Sequence, residues 1–141
     1  MKSLRFLTVL ISVFHVSCTA FAGTEVTGRS VKEISYEEFG AYRGGKENFT
    51  LVDVLSRESY EKGHIEGAIS FPLDTINKKT AARALSNKAR TVIVYCGGFK
   101  CHASTKAALK LEKLGYNVLD YKGGLEEWQN KGNKLLEEER R

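Results

Sequence analysis

Thr91-Val92-Ile93-Val94-Tyr95, followed at once by Cys96-Gly97-Gly98-Phe99-Lys100-Cys101, is the stretch from which the fold of this chain is read. A run of β-branched, apolar and aromatic residues bounded by polar ones fits a strand buried on both faces, the pattern of a central strand in a parallel sheet. A short glycine-rich loop comes next. Ala103, Ala107, Leu111 and Leu114 then recur along one face of a helix that ends at Gly115. Strand, short loop and helix in succession place the loop beyond the carboxyl end of the strand, where reactive groups collect in open parallel sheets. Cys96 stands at that point.

The same alternation continues on both sides. Residues 31–34 form a short strand, and Ser35 caps a helix through Tyr42, with Glu38 completing a capping box and Gly44-Gly45 ending it. Residues 49–54 are apolar enough for a buried strand. Residues 56–62 make a short helix closed by Gly63, 68–71 a strand before Pro72, and 75–85 a helix carrying Ile76, Ala81, Ala82 and Leu85. Beyond Gly115, residues 117–121 are the next strand. Gly123-Gly124 is a turn, and 125–130 a short helix bearing Trp128. The expected fold is α/β: a mostly parallel central sheet flanked by helices on both faces.

Residues 1–22 stand apart from this pattern. Lys2 and Arg5 precede an apolar run from Phe6 to Val16, and Ala20-Phe21-Ala22 is a small-x-small site. These features describe an export leader cut after Ala22, with the periplasm as the expected destination. The apolar run, broken by Ser12 and His15, falls short of the roughly 20 residues of a membrane span, so no stable membrane insertion is expected after cleavage. Residues 23–30 then form an N-terminal extension, 31–134 one domain, and 135–141 a charged C-terminal tail. The chain carries a formal charge of +5, with Lys and Glu interspersed as on a solvated surface. No basic block with interleaved aromatics argues for nucleic acid. A weak positive field favours small anions.

Beyond the leader the cysteines are Cys96 and Cys101. A structural disulfide across so short a loop removes little chain entropy, which favours a chemical role for the pair. Successive N–H groups of such a loop can form a concave nest for an anion, and the following helix adds its positive end. Gly97 and Gly98 free the backbone for that shape, and Lys100 contributes a full charge. These features predict a lowered pKa at Cys96 and a nucleophilic thiolate there.

The chain resembles the rhodanese-like sulfurtransferases in three segments, in order. Leu51-Val52-Asp53-Val54 leads to Glu58, Tyr60 and Gly63-His64-Ile65-Glu66-Gly67-Ala68-Ile69, ending in Phe71-Pro72. Val92-Ile93-Val94-Tyr95-Cys96 follows with its loop and Ala-rich helix. Gly115-Tyr116-Asn117-Val118 then precedes Gly123-Gly124-Leu125 and Trp128. The resemblance implies a rhodanese-like fold and a persulfide mechanism. Cys96 takes sulfane sulfur from a donor such as thiosulfate and passes it to a thiophilic acceptor, cyanide or a thiol, with a protein thiol as a further acceptor class. Gly97, Gly98, Phe99, Lys100, Cys101 and His102 would surround the substrate. Cys101 is a candidate resolving thiol or, less favoured by its position, the sulfur carrier itself. Asp53 and His64 are expected to tie the strand end and turn. The chain departs from the family pattern in having Leu55 after the aspartate strand and no arginine near the end of the loop, where Cys101-His102-Ala103-Ser104 stands instead. Ser104 matches the serine that begins the following helix in a subset with a second cysteine.

Rival chemistries are weaker. A cysteine phosphatase needs an arginine to grip phosphoryl oxygens, but His102 or Ala107 occupies the relevant position, counted from Cys96 or Cys101. Zinc bound through Cys96, Cys101 and His102 or His64 lacks a fourth ligand, so neither metal nor cofactor is expected. A thiol-disulfide redox protein using Cys96 and Cys101 stays open, as does a non-catalytic binding module on the same fold.

Overall fold

The computed structural model describes residues 31–88 and 90–138. The expected leader and extension, 1–30, lie outside them, as do the last residues of the expected tail, 139–141. Among the described residues there are five strands: β1 (Lys32–Ile34), β2 (Phe49–Asp53), β3 (Ala68–Ser70), β4 (Thr91–Tyr95) and β5 (Val118–Tyr121). They form one sheet in the order β1-β5-β4-β2-β3, and every pairing is parallel. The helices are α1 (Tyr36–Gly44), α2 (Arg57–Lys62), α3 (Lys78–Ala84), α4 (Ala103–Lys113) and α5 (Gly124–Asn130). The expected α/β architecture is therefore present. Among the described residues no helix is long and apolar enough to cross a membrane.

Alternation along the central strand divides the core. Val92 and Val94 join Val52, Val54 and Val118 under α3 and α4, against Ala81, Leu85, Ala107, Ala108 and Leu111. Ile93 and Tyr95 face the other way, with Leu51, Leu119 and Tyr121, toward Phe39 of α1, Tyr60 of α2 and Trp128 of α5. Both faces of β4 are thus covered, which is why its sequence is apolar throughout rather than alternating. Cys96 continues the period and falls in the Val92–Val94 group, so its sulfur is directed to the α4 side.

The helix expected over residues 75–85 begins later than its sequence suggested. Leu73–Thr75 is a single 3₁₀ turn, and α3 starts at Lys78. Asn77 decides this: its Oδ1 accepts the N–H groups of Lys79 and Thr80, and the Thr80 hydroxyl reaches back to the Asn77 backbone. The segment 135–138, assigned to a charged tail, is attached to the domain. Leu136 and His64 exchange N–H···O bonds of 2.9 Å in each direction, Leu135 packs against the core, and the Glu138 N–H donates to Glu61 O.

Candidate active site

β4 delivers Cys96 to the carboxyl edge of the sheet, and the helix N-terminus of α4 receives it. Cys96 is fully buried. Its Sγ lies 3.3 Å from Ser104 Oγ and 3.4 Å from the Cys101 carbonyl oxygen. Cys101 is half-buried, both cysteines are free thiols, and the two side chains are near enough to shift each other's pKa.

Two backbone hydrogen bonds from α5 fix the loop. The Leu125 and Glu126 N–H groups at the start of α5 donate to Cys96 O and Gly97 O, at 3.0 and 2.9 Å. Because a trans peptide points its N–H opposite its C=O, tying these carbonyls to α5 turns the Gly97 and Gly98 N–H groups away from it. The Gly97 N–H reaches the sulfur of Cys101, and so does the N–H of Ala103. The α4 N-cap residue, His102, supplies no side-chain cap. The Cys101 sulfur therefore serves as an acceptor for an otherwise orphan helical N–H. The nest expected around Cys96 is occupied by the second thiol.

This changes the electrostatics anticipated for the pair. Burial pushes the Cys96 thiol up, and its contact with Cys101 adds to the effect, against the lowering influence of the Ser104 hydroxyl and N–H. The lowered pKa predicted for Cys96 is thus corrected to a raised one. Burial also acts upward on Cys101, but hydrogen bonds from Cys96, Ala103 and Gly97, with the Lys122 charge, outweigh it and hold that thiol below its ordinary value. Of the two thiols, Cys101 is the one that ionises more readily.

The remaining predicted site residues divide. Gly97 and Gly98 line the loop, and a Cβ at Gly98 would run into the Glu126 side chain, with Glu126 Cβ 2.6 Å away. Phe99, Lys100 and His102 are exposed. Lys122, not Lys100, supplies the positive charge acting on Cys101. Its Nζ donates to Cys101 O at 2.7 Å and to Thr105 Oγ1 at 3.1 Å, and Thr105 Oγ1 donates to buried Asp120 at 2.7 Å. Sequence reasoning missed Lys122, which directly follows β5. The signal lay in the prediction of a parallel sheet, since the strand beside β4 must also end near its loop. Gly124 was read only as a turn, yet a Cβ there would lie 3.0 Å from both the Cys96 carbonyl carbon and the Gly98 nitrogen.

Asp53 and His64 perform positioning duties. Asp53 Oδ1 accepts the Leu55 N–H at 2.9 Å. His64 Nδ1 donates to Tyr60 O at 2.9 Å, with its ring stacked on Tyr60. A largely apolar groove of about 470 Å³ opens beside the start of α4, between Val54, Leu55, Pro72, Leu73 and Ala103. Among the described residues no group of three or more His, Cys, Asp or Glu side chains is placed to hold a metal.

The rhodanese-like domain family matches residues 35–131. An HTH-type transcriptional regulator of Mycobacterium tuberculosis is 30% identical over 118 residues, 84% of this chain and 50% of the regulator. The thiosulfate sulfurtransferase PspE of Escherichia coli is 34% identical over 76 residues, 54% of this chain and 70% of the enzyme. The crystal structure of a Bacillus halodurans protein superposes with a TM-score of 0.69 at 34% identity, covering 75% of this chain and 77% of that one. The chain spans about half the length of the first curated relatives it matches. One fold thus occurs in a regulator and in an enzyme, and any inference about activity has to come from the loop itself.

Proposed function

The chain belongs to the rhodanese-like domain family, and from that premise we propose that it is a sulfurtransferase carrying sulfane sulfur as a persulfide on Cys96. The observation that supports this best is the loop: a thiol at the end of the central parallel strand, facing a helix N-terminus through Ser104 and beside a second thiol held below its ordinary pKa. The Cys101 thiolate, hydrogen-bonded to the Cys96 thiol, takes its proton. The Cys96 thiolate, steadied by the Ser104 hydroxyl and N–H, attacks the outer sulfur of thiosulfate. A Cys96–sulfur bond forms, the sulfur–sulfur bond of thiosulfate breaks, and sulfite leaves with the electron pair. A thiophilic acceptor, cyanide or a thiol, then removes the sulfur and restores the Cys96 thiolate.

Small sulfur-containing anions and thiols are the proposed substrates, and the leader read in residues 1–22 makes the periplasm the proposed compartment. Incubation of reduced protein with thiosulfate should release sulfite and load one sulfur, as an intermediate, wherever Cys96 is present. Cys96→Ser should do neither. Sulfur retained by Cys96→Ser would move the carrier role to Cys101, and no sulfite from any variant would remove the activity altogether.

A further inference from the structure

We propose that Cys101 is also the resolving thiol of Cys96, turning a sulfur-carrying loop into one that releases hydrosulfide. Cys101 gives the proton it took from Cys96 to the outer sulfur of the Cys96 persulfide and, as the thiolate, attacks the inner sulfur. The Sγ–Sγ bond forms, the persulfide bond breaks, and hydrosulfide leaves with that electron pair. The sulfane sulfur is reduced, and the two cysteines are oxidised to a disulfide. An external dithiol then reduces the disulfide by exchange and becomes a disulfide itself. This step deepens the sulfur-transfer reading of the same loop and rests on it.

Geometry carries the assignment. Cys96 Sγ lies 3.4 Å from the Cys101 backbone oxygen, so the residue carrying the second thiol packs directly against the first. Cys101 is held facing Cys96 from three sides. Lys122 grips its carbonyl at 2.7 Å, Gly98 O accepts its N–H at 2.9 Å, and the Gly97 and Ala103 N–H groups hold its sulfur. The outer sulfur of a Cys96 persulfide extends about 2 Å beyond Sγ, into the space that Cys101 shares. Cys96 itself is fully buried while Cys101 is half-buried. A persulfide on Cys96 is therefore closer to this internal thiol than to any acceptor in solution. The loop carries no arginine, and a second nucleophile, Cys101, stands near its end. The product class follows: hydrosulfide and a protein disulfide, whose recycling requires a dithiol reductant.

The test uses the full chain, reduced, freed of reductant and kept anaerobic, with thiosulfate as the only donor. Wild-type protein should release sulfite, hydrosulfide and disulfide in equal amounts and hold no lasting persulfide. Cys101→Ser and Cys101→Ala, lacking the base, should release sulfite more slowly, yet form no hydrosulfide and keep the one added sulfur. Sulfite release with an equally persistent persulfide in wild type and both variants would overturn the resolving role while leaving sulfur transfer intact. Hydrosulfide without disulfide would overturn it as well. Absence of sulfite from every protein, with thiosulfate and with inorganic polysulfide giving no added sulfur, would overturn both assignments. The wild-type measurement stands without any variant, so a folding defect in one of them does not weaken it.

Discussion

Cys96 is buried at the end of β4, and the donors of the loop that follows it converge on Cys101. The glycines, the helix start and Lys100 all suggested an activated Cys96. The three-dimensional packing instead buries Cys96 among Val94, Ala107 and Ala108 and gives the loop N–H donors to Cys101. Lys100 sits next to Cys101 in sequence but is exposed, while Lys122 reaches it from the end of β5. Chain adjacency says little about where a flexible side chain points. Because the thiolate is the reactive form, alkylation of Cys101 rises with pH through its pKa, and its midpoint should lie below that of a free cysteine. Lys122→Met should move that midpoint up, and Lys122→Arg should restore it partly, as read by iodoacetamide labelling with peptide mapping across pH. An unshifted midpoint in Lys122→Met would remove Lys122 from the site. Ser104→Ala should slow sulfite release roughly ten-fold, the equivalent of losing one charge-assisted hydrogen bond of about 1.5 kcal/mol, without changing the Cys101 midpoint to the same extent.

At the scale of elements, caps and periodicities were read well where local chemistry decides the outcome. Ser35 and Glu38 form their capping box, and Ser56 and Gly63 bracket α2. The start of α3 was misread because Thr75 and Asn77 both suit a cap, and only Asn77 closes two N–H bonds at once. The docking of α5 on the active loop was not legible, since it depends on two segments meeting in space. Gly124 makes that docking possible. Its φ of +53° lies in the left-handed region, and its missing Cβ leaves room for the Cys96 and Gly98 backbone. Gly67 provides the contrast, with a φ of +83° and nothing within 4 Å of a would-be Cβ. Gly67→Ala should therefore cost only the backbone term, about 1–2 kcal/mol, with sulfite release unchanged. Gly124→Ala adds a backbone collision at the loop. It should cost more in urea denaturation and sharply reduce sulfite release in the protein that remains folded. Equal effects from the two substitutions would show that the loop does not depend on close approach by α5.

The whole molecule is closed by a segment whose composition concealed its role. Glu137 to Arg141 is entirely charged, so 135–141 reads as solvated tail, but Leu135 and Leu136 precede the charges and decide the path. The chain turns back after α5. Trp128 Nε1 donates to Lys134 O at 3.0 Å, Asn133 Nδ2 donates to Tyr36 OH at 2.9 Å, and Leu136 pairs with His64. This strap crosses the α1–α2–α5 face, opposite the face into which Cys96 points. Ending the chain after Asn133 would expose part of Trp128 and Tyr60, remove Leu135 from beside Gly63, and leave the Trp128 indole N–H and the His64 backbone to water. Loss of one half-buried leucine at about 1 kcal/mol and four hydrogen bonds at about 0.5–1.5 kcal/mol each predicts a decrease of about 3–7 kcal/mol in unfolding free energy. The exposed Arg57–Glu138 ion pair adds little to that figure. Urea titration of the truncated and full chains measures the difference directly. Because the α3–α4 face and the loop are untouched, sulfite release per folded molecule should be unchanged below the denaturation midpoint. A truncated chain as stable as the full one would show that the strap rests on the domain without holding it. A stable chain with altered sulfite release would mean instead that the two faces of the sheet are coupled through β4.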